Sequence, residues 1–108
     1  MAKKYYKPLP SCVTIKNSEI EGLGLFAVEE IKAGTRIGMT HVKTDDPYFE
    51  EDGGWVRMPL GGWVNHSKTP NTKFSQEGNY LFLDVLDIDI NIGEEVTAIY
   101  LWYDPTEL

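Results

Sequence analysis

The chain has 108 residues and a formal net charge of −7, and 42% of its residues are hydrophobic. This length fits one domain, and 12% aromatic residues supply enough apolar surface for a packed core, which excludes an intrinsically disordered chain. The acidic balance lacks the basic surface that phosphate binding needs, so we expect no direct nucleic-acid binding. It favours a basic partner, or serves solubility alone.

Cys12 is the only cysteine, which excludes a disulfide within the chain and a cysteine-based zinc cluster. We expect it to be a small core residue. No apolar stretch of about 18 residues is present, so the sequence predicts no membrane span. Lys3, Lys4 and Lys7 are not followed by an apolar segment, so it predicts no secretory signal either, and hence an intracellular, soluble protein.

In chain order, residues 1–11 predict an extended arm, and residues 12–108 a single compact domain. Short apolar and β-branched runs alternate with glycine-bearing turns, which is typical of a mostly β fold. The clearest turn ends at Gly34, which we expect in the left-handed conformation. Residues 40–54 are polar and acidic and predict a loop or one short helix, and no window has a helical period. The predicted strands are residues 12–16, 24–28, 35–39, 55–58, 79–86 and 96–103.

Two polar or glycine-bearing segments suggest a ligand site. The Gly22-Leu23-Gly24 segment would let a ligand approach the backbone, and an ordinary tight turn is the alternative. In the run Asn65-His66-Ser67-Lys68-Thr69-Pro70-Asn71, amide and imidazole groups could read an adenine edge or hold a loop, and a turn closed by Pro70 is the alternative.

Two further acidic segments lie near the C-terminus. Glu95 is either a buried partner for a backbone or hydroxyl donor, or part of a solvated turn with Glu94. Asp87-Ile88-Asp89-Ile90-Asn91 imitates the start of a calcium loop but has Ile92 at the glycine position and Ala98 at the glutamate position. We therefore predict no metal site.

Three motifs in order resemble the SET-domain family of protein lysine methyltransferases over roughly residues 12–104. The first is Gly22-Leu23-Gly24-Leu25-Phe26-Ala27 followed by Ile31-Lys32-Ala33-Gly34. The second is Asn65-His66-Ser67 with Pro70-Asn71, and the third is Gly93-Glu94-Glu95-Val96-Thr97 with Tyr100.

The resemblance implies a β-clip of short sheets with a C-terminal pseudoknot, and S-adenosylmethionine as the cofactor. By motif, the backbone of Gly22, Leu23 and Gly24 would hold the amino-acid end of the cofactor. The side chains of Asn65 and His66 would contact its amino and adenine portions.

The resemblance also implies a lysine channel on the opposite face. Tyr100 would be the catalytic tyrosine and also border the cofactor, and Phe74 and Ala98 would leave room for more than one methyl group per lysine. Trp102 and Tyr103, or a second subunit in a homodimer, would close the channel. The substrate would be a lysine-containing, basic protein or peptide.

The chain departs from the family pattern in having a short segment between its first two motifs and Gly61-Gly62-Trp63 where a positive charge is common. In its small size the chain is similar to viral and bacterial members of the family. The resemblance therefore implies a location in the cytoplasm or, for a viral protein, in the interior or nucleus of the host cell. Two other functions remain open. One is a non-catalytic binding module on the same β-clip scaffold, and the other is a small-molecule methyltransferase.

Overall fold

The computed structural model of the chain describes residues 9–99, apart from the side chains of residues 51 and 52. Over that range the fold is mostly β, as predicted, and it contains no α-helix. None of the helices there is long and apolar enough to cross a bilayer. The strands are β1 (Val13–Asn17), β2 (Leu23–Ala27), β3 (Arg36–Lys43), β4 (Trp55–Arg57), β5 (Asn65–His66), β6 (Thr72–Glu77), β7 (Tyr80–Val85) and β8 (Glu95–Ala98), and the 3-10 helices are η1 (Pro47–Asp52) and η2 (Pro59–Gly62).

The first sheet joins three distant parts of the chain in the order β1-β2-β8-β5. Strands β1 and β2 form an antiparallel hairpin, and β8 pairs antiparallel with β2, placing Val96 opposite Leu25. On its other side β8 pairs in parallel with β5, with Asn65 opposite Thr97. The two segments that suggest a ligand site therefore lie on the two strands that flank β8.

The second sheet has the order β4-β3-β7-β6 and supplies much of the core. Along β7, Leu81, Leu83 and Val85 are buried and the intervening side chains are more exposed, which is the period-two pattern of a sheet with one covered face. On the opposite face Arg36 binds Asp84 across the β3–β7 pair, with a 2.8 Å distance from its Nε to Oδ1.

The hydrophobic core lies between these sheets. It includes residues from both sheets and from the turns that join them, and the partly buried Leu9 and Cys12 pack against it. Leu9 belongs to the predicted N-terminal arm, whose first eight residues lie outside the described range. The fully or nearly fully buried members are Val13, Leu25, Ala27, Ile31, Ile37, Leu60, Val64, Phe74, Leu83, Val85, Ile90, Val96 and Ala98.

The structure corrects the predicted loop over residues 40–54 in its first part, because β3 continues to Lys43. Thr40 and His41 are both buried there, and a register shift between Met39 and His41 explains how two successive residues turn inward. The remainder contains η1, which agrees with the predicted single short helix. Gly34 has a φ of 78°, as expected for the turn.

Strand prediction also missed β5 and β6. Strand β6 is an edge strand whose buried side chains are Thr72 and Phe74, so its apolar signal is weak. The predicted strand 96–103 begins one residue earlier and ends at Ala98; Ile99 lies outside the strand, and residues 100–103 lie beyond the described range.

Candidate functional site

The loop between β1 and β2 is closed by its own hydrogen bonds. The backbone N–H of Ser18 donates to the Gly22 carbonyl at 2.8 Å, and the N–H of Ile20 donates to Ser18 Oγ at 3.0 Å. Gly22 has a φ of 38°, in the left-handed region that glycine adopts at little cost. Gly22 and Leu23 are exposed beside this loop, whereas Gly24 is buried.

Gly24 is buried because two side chains lie directly over its Cα atom. A Cβ atom at this position would overlap the Glu95 carboxylate and lie 3.0 Å from Asn65 Nδ2. The absence of a side chain therefore lets β5 and β8 bring polar groups onto the backbone of β2. This is a structural reason for the second glycine of the Gly22-Leu23-Gly24 segment, beyond the requirements of a turn.

The amide nitrogen of Asn65 is surrounded by acceptors from these elements. Nδ2 lies 2.8 Å from Glu95 Oε2 and 3.1 Å from Ser18 Oγ, and within 3.3 Å of the carbonyls of Glu21 and Leu23. Because all four neighbours are acceptors, the amino side of the amide must face them. The other side, Oδ1, points away and receives no hydrogen bond from residues 9–99.

Glu95 is the acidic member of the site. Its carboxylate accepts the Ser18 hydroxyl, at 2.7 Å to Oε1 and 2.9 Å to Oε2, in addition to the Asn65 amide. The predicted hydroxyl donor to Glu95 is therefore present, although Glu95 is half-buried rather than buried. The adjacent Glu94 is exposed and accepts the backbone N–H of Asn91 at 2.9 Å.

Asn71, the last residue of the second motif, holds β8 rather than facing solvent. Its Nδ2 donates to the Glu95 carbonyl at 2.8 Å, and its Oδ1 accepts the Thr97 N–H at 2.8 Å. Thr72 adds a third bond, from its hydroxyl to the Thr97 carbonyl at 2.7 Å. Two side chains thus add hydrogen bonds to the backbone of β8 beyond its pairing with β2 and β5.

His66 and Ser67 continue the parallel pairing with β8. His66 is half-buried opposite Ala98, and the Ser67 N–H donates to the Ala98 carbonyl at 3.0 Å. Ser67 Oγ then accepts the Thr69 N–H at 3.1 Å, which makes a short serine turn before Pro70. The segment is therefore part strand and part turn, and its backbone follows β8 from Asn65 onward.

Of the four residues predicted to form the lysine channel, the structure describes Phe74 and Ala98. Both are buried in the same core cluster, Phe74 with 7% and Ala98 with 0% of its surface exposed. Tyr100, Trp102 and Tyr103 lie outside the described residues, so the predicted catalytic tyrosine and channel lid are not placed. Strand β8 ends at Ala98, directly before this segment.

His41 is a buried residue beside Phe74 that sequence reasoning did not single out. Its ring meets the Phe74 ring edge-on, with centroids 5.8 Å apart at 74°. Thr40 Oγ1 donates to the Leu81 carbonyl at 3.2 Å and lies 2.9 Å from His41 Nδ1. Burial, with a smaller contribution from Arg57, lowers the pKa of His41 to about 4.

Asp89, from the rejected calcium-like segment, holds the turn before β3 instead. Its Oδ1 accepts the Ala33 N–H at 2.7 Å, and this bond is the largest cause of the lowered pKa of its carboxyl group. Lys32 lies 3.5 Å from Oδ2. The adjacent residues Ile31 and Ile90 form a β-bridge with two backbone hydrogen bonds of 2.8 Å.

Two solved structures are similar to this fold. A candidate histone methyltransferase of Plasmodium falciparum superposes with a TM-score of 0.63 at 19% identity, over 84% of this chain and 96% of that one. The methyltransferase domain of human PR domain-containing protein 2 superposes with a TM-score of 0.64 at 18% identity, over 93% of this chain and 84% of that one. No protein-family model and no curated protein matches the sequence.

At these identities the likeness establishes the fold. The chain has the SET-type β-clip fold of these methyltransferase domains, which the three motifs predict. The family resemblance implies a C-terminal pseudoknot beside the Asn-His segment. Of that arrangement, the described residues show β8 paired with Asn65 and His66. The site residue that sequence reasoning missed is Ser18, which does not stand out locally because its partners Asn65 and Glu95 are distant in the chain.

Proposed function

We propose that the protein is an S-adenosylmethionine-dependent methyltransferase that acts on a lysine side chain of a protein. The observation that carries this proposal is the junction of Gly24, Asn65 and Glu95, where all three motif regions meet across three neighbouring strands of the first sheet. A SET-type fold supplies the scaffold for such a reaction. The motifs themselves are far apart in the chain and meet only through the order of the strands.

The residues at this junction fit the amino-acid end of the cofactor. S-adenosylmethionine carries an α-ammonium group and a positive sulfonium, and Asn65 Oδ1 is an acceptor without a donor in residues 9–99. Glu95 places a negative charge beside the Asn65 amide. The exposed residues Gly22 and Leu23 would offer backbone polar groups to the carboxylate of the cofactor. Half-buried His66 follows Asn65 on the same strand, at the position proposed for the adenine.

In the proposed reaction the bound cofactor supplies a methyl group, which the lone pair of the lysine amine takes in a displacement that leaves S-adenosylhomocysteine. The chain's own task is to hold a neutral amine in line. An apolar channel bordered by Phe74 and Ala98 would lower the pKa of a lysine, because burial disfavours its charged form. The hydroxyl of Tyr100 would orient the amine, which is a positioning effect.

The substrate that fits this surface is a basic peptide. The net charge is −7, and the segment before and within η1 adds the exposed Asp45, Asp46 and Glu50. Such a field attracts lysine-rich segments and is screened by salt. We therefore propose that methylation of basic peptides slows as the salt concentration rises through the physiological range, whereas acidic peptides are poor substrates.

The proposal is tested by calorimetric titration with S-adenosylmethionine and by mass spectrometry of methylated peptides. Asn65→Ala should weaken cofactor binding by about 1–3 kcal/mol, the cost of leaving polar partners without a bond, and Asn79→Ala, in an exposed turn, should not change it. Tyr100→Phe should retain binding and reduce turnover about 100-fold, which corresponds to roughly 2.7 kcal/mol.

The outcomes separate the candidate functions. No cofactor binding by the wild type at millimolar concentration contradicts the proposal. Binding without methyl transfer to any lysine peptide favours a non-catalytic module. Undiminished methylation by Tyr100→Phe contradicts the role of this tyrosine, and the mass of the product counts the methyl groups that the channel admits.

A further inference from the structure

We propose that Ser18 and Glu95 are positioning residues that make the site selective for a ligand with a cationic amino group. This inference rests on the proposed function and names the part of the ligand that the junction recognises. It concerns the two residues behind Asn65, where the loop Ser18–Gly22 is tied to β8 across 77 positions of sequence.

The hydroxyl of Ser18 uses its full hydrogen-bonding capacity within this site. It donates to the Glu95 carboxylate and accepts the Ile20 N–H at 3.0 Å and the Asn65 amide at 3.1 Å. A serine hydroxyl has one donor and two acceptor positions, and all three are occupied. Ser18 therefore fixes the position of the loop, of the carboxylate and of the amide relative to one another.

The carboxylate of Glu95 decides which way the Asn65 amide faces. Nδ2 lies 2.8 Å from Glu95 Oε2, so a rotated amide would place its oxygen against a negative charge. The bond to a charged acceptor is stronger than one between neutral groups, and it keeps Oδ1 on the side of the amide away from the carboxylate. A glutamine at position 95 would remove both the charge and this preference, because its own amide can donate as well as accept.

The carboxylate also lacks a cationic partner within residues 9–99. Glu95 is half-buried, and its contacts there are the neutral Ser18 hydroxyl and Asn65 amide, whereas the ion pairs in that range involve other carboxylates. A partly desolvated charge is stabilised by an opposite charge nearby. The α-ammonium of the ligand, accepted by Asn65 Oδ1, would supply that charge.

The experiment compares two ligands that differ in the amino-acid end. S-adenosylhomocysteine carries the α-ammonium and no sulfonium, and 5′-methylthioadenosine carries neither. Titration calorimetry of the full chain with each ligand should show that Glu95→Gln weakens S-adenosylhomocysteine about tenfold and 5′-methylthioadenosine less than about twofold, since only the first ligand has the cation. Ser18→Ala should act in the same direction with a smaller change.

Glu94→Gln is the matched control, because it removes the same charge from the neighbouring exposed residue and should leave both affinities unchanged. Equal weakening of both ligands by Glu95→Gln, or an equal effect of Glu94→Gln, overturns the inference. If Glu95→Gln does not fold, the ratio of the two affinities in Ser18→Ala decides in the same way. A wild type that binds neither ligand contradicts the proposed function itself, whereas selective binding unaffected by both variants contradicts the inference alone.

Discussion

Replacement of Asn71 by alanine tests whether this residue, the last of the second motif, stabilises the fold by holding β8. The substitution removes the donor to the Glu95 carbonyl and the acceptor for the Thr97 N–H, both at 2.8 Å. Thr97 is 7% exposed, so its N–H would be left with little access to water. Strand β8 would retain its pairing with β2 and β5 and the bond from Thr72.

The expected cost follows from these two bonds. A buried donor without a partner costs about 1–3 kcal/mol, and a lost hydrogen bond of the ordinary kind about 0.5–1.5 kcal/mol. We expect the free energy of unfolding of Asn71→Ala to fall by about 2–4 kcal/mol, a large share of the roughly 5–15 kcal/mol that stabilises a typical domain.

Urea unfolding followed by tryptophan fluorescence measures this difference. Small domains have slopes of about 1–3 kcal/mol per molar urea, and a slope of about 2 would decrease the midpoint by about 1–2 M. The control is Asn91→Ala, at an exposed position whose side chain makes no hydrogen bond within residues 9–99. A midpoint for Asn71→Ala equal to that of the control would refute the reasoning, and Asn71 would then be free for a direct role at the site.

Two further predictions concern the packing around Thr40 and His41. In Gly61→Ala the new Cβ would lie 2.5 Å from the Thr40 carbonyl oxygen, so the free energy of unfolding measured in urea should fall by about 1–3 kcal/mol. Gly62→Ala is the control, because its new Cβ would have its nearest contact at 3.9 Å and the variant should stay near wild type. Equal stabilities of the two variants would contradict the close approach at Gly61. The pKa of His41 is about 4 in the folded chain and near 6.5 when unfolded, so the unfolded state takes up the proton first as the pH falls. The free energy of unfolding should therefore decrease from pH 6.5 towards pH 4, by about 3 kcal/mol at the lower end. In His41→Gln this contribution to the pH dependence should be absent. If the free energies of unfolding of wild type and variant change with pH in parallel, His41 has the same pKa in the folded and unfolded chain.

Much of the fold could be predicted because its signals are local. A short apolar run between turns predicted strand 79–86, which the structure has as Tyr80–Val85, and Gly34 identified a turn by its backbone freedom alone. The resemblance to SET domains rests on three short motifs, and the similarity of the fold to two methyltransferase domains confirms what they predict for the architecture. The missed β6 shows the limit of this approach, since an edge strand with two buried side chains has almost no periodic signal.

The composition of the candidate site was only partly predictable. Sequence reasoning selected Gly24, Asn65 and Glu95 for different reasons, but could not tell that they touch. Ser18 carries no signal at all, because its role depends on a residue 77 positions away. The role of Tyr100 stays a prediction from the motif.

The sequence by itself determined the β character and the turns, since these follow from side-chain patterning and backbone freedom within a few residues, and its three motifs determined the resemblance to the SET family. Only the tertiary structure decided that β8 lies between β2 and β5, which brings the Glu95 carboxylate over Gly24 and beside the Asn65 amide. It also decided that Asn71 faces β8. The physical reason is that burial removes water from these polar groups, so each must find a partner, and the partner is set by strand order rather than by neighbouring sequence.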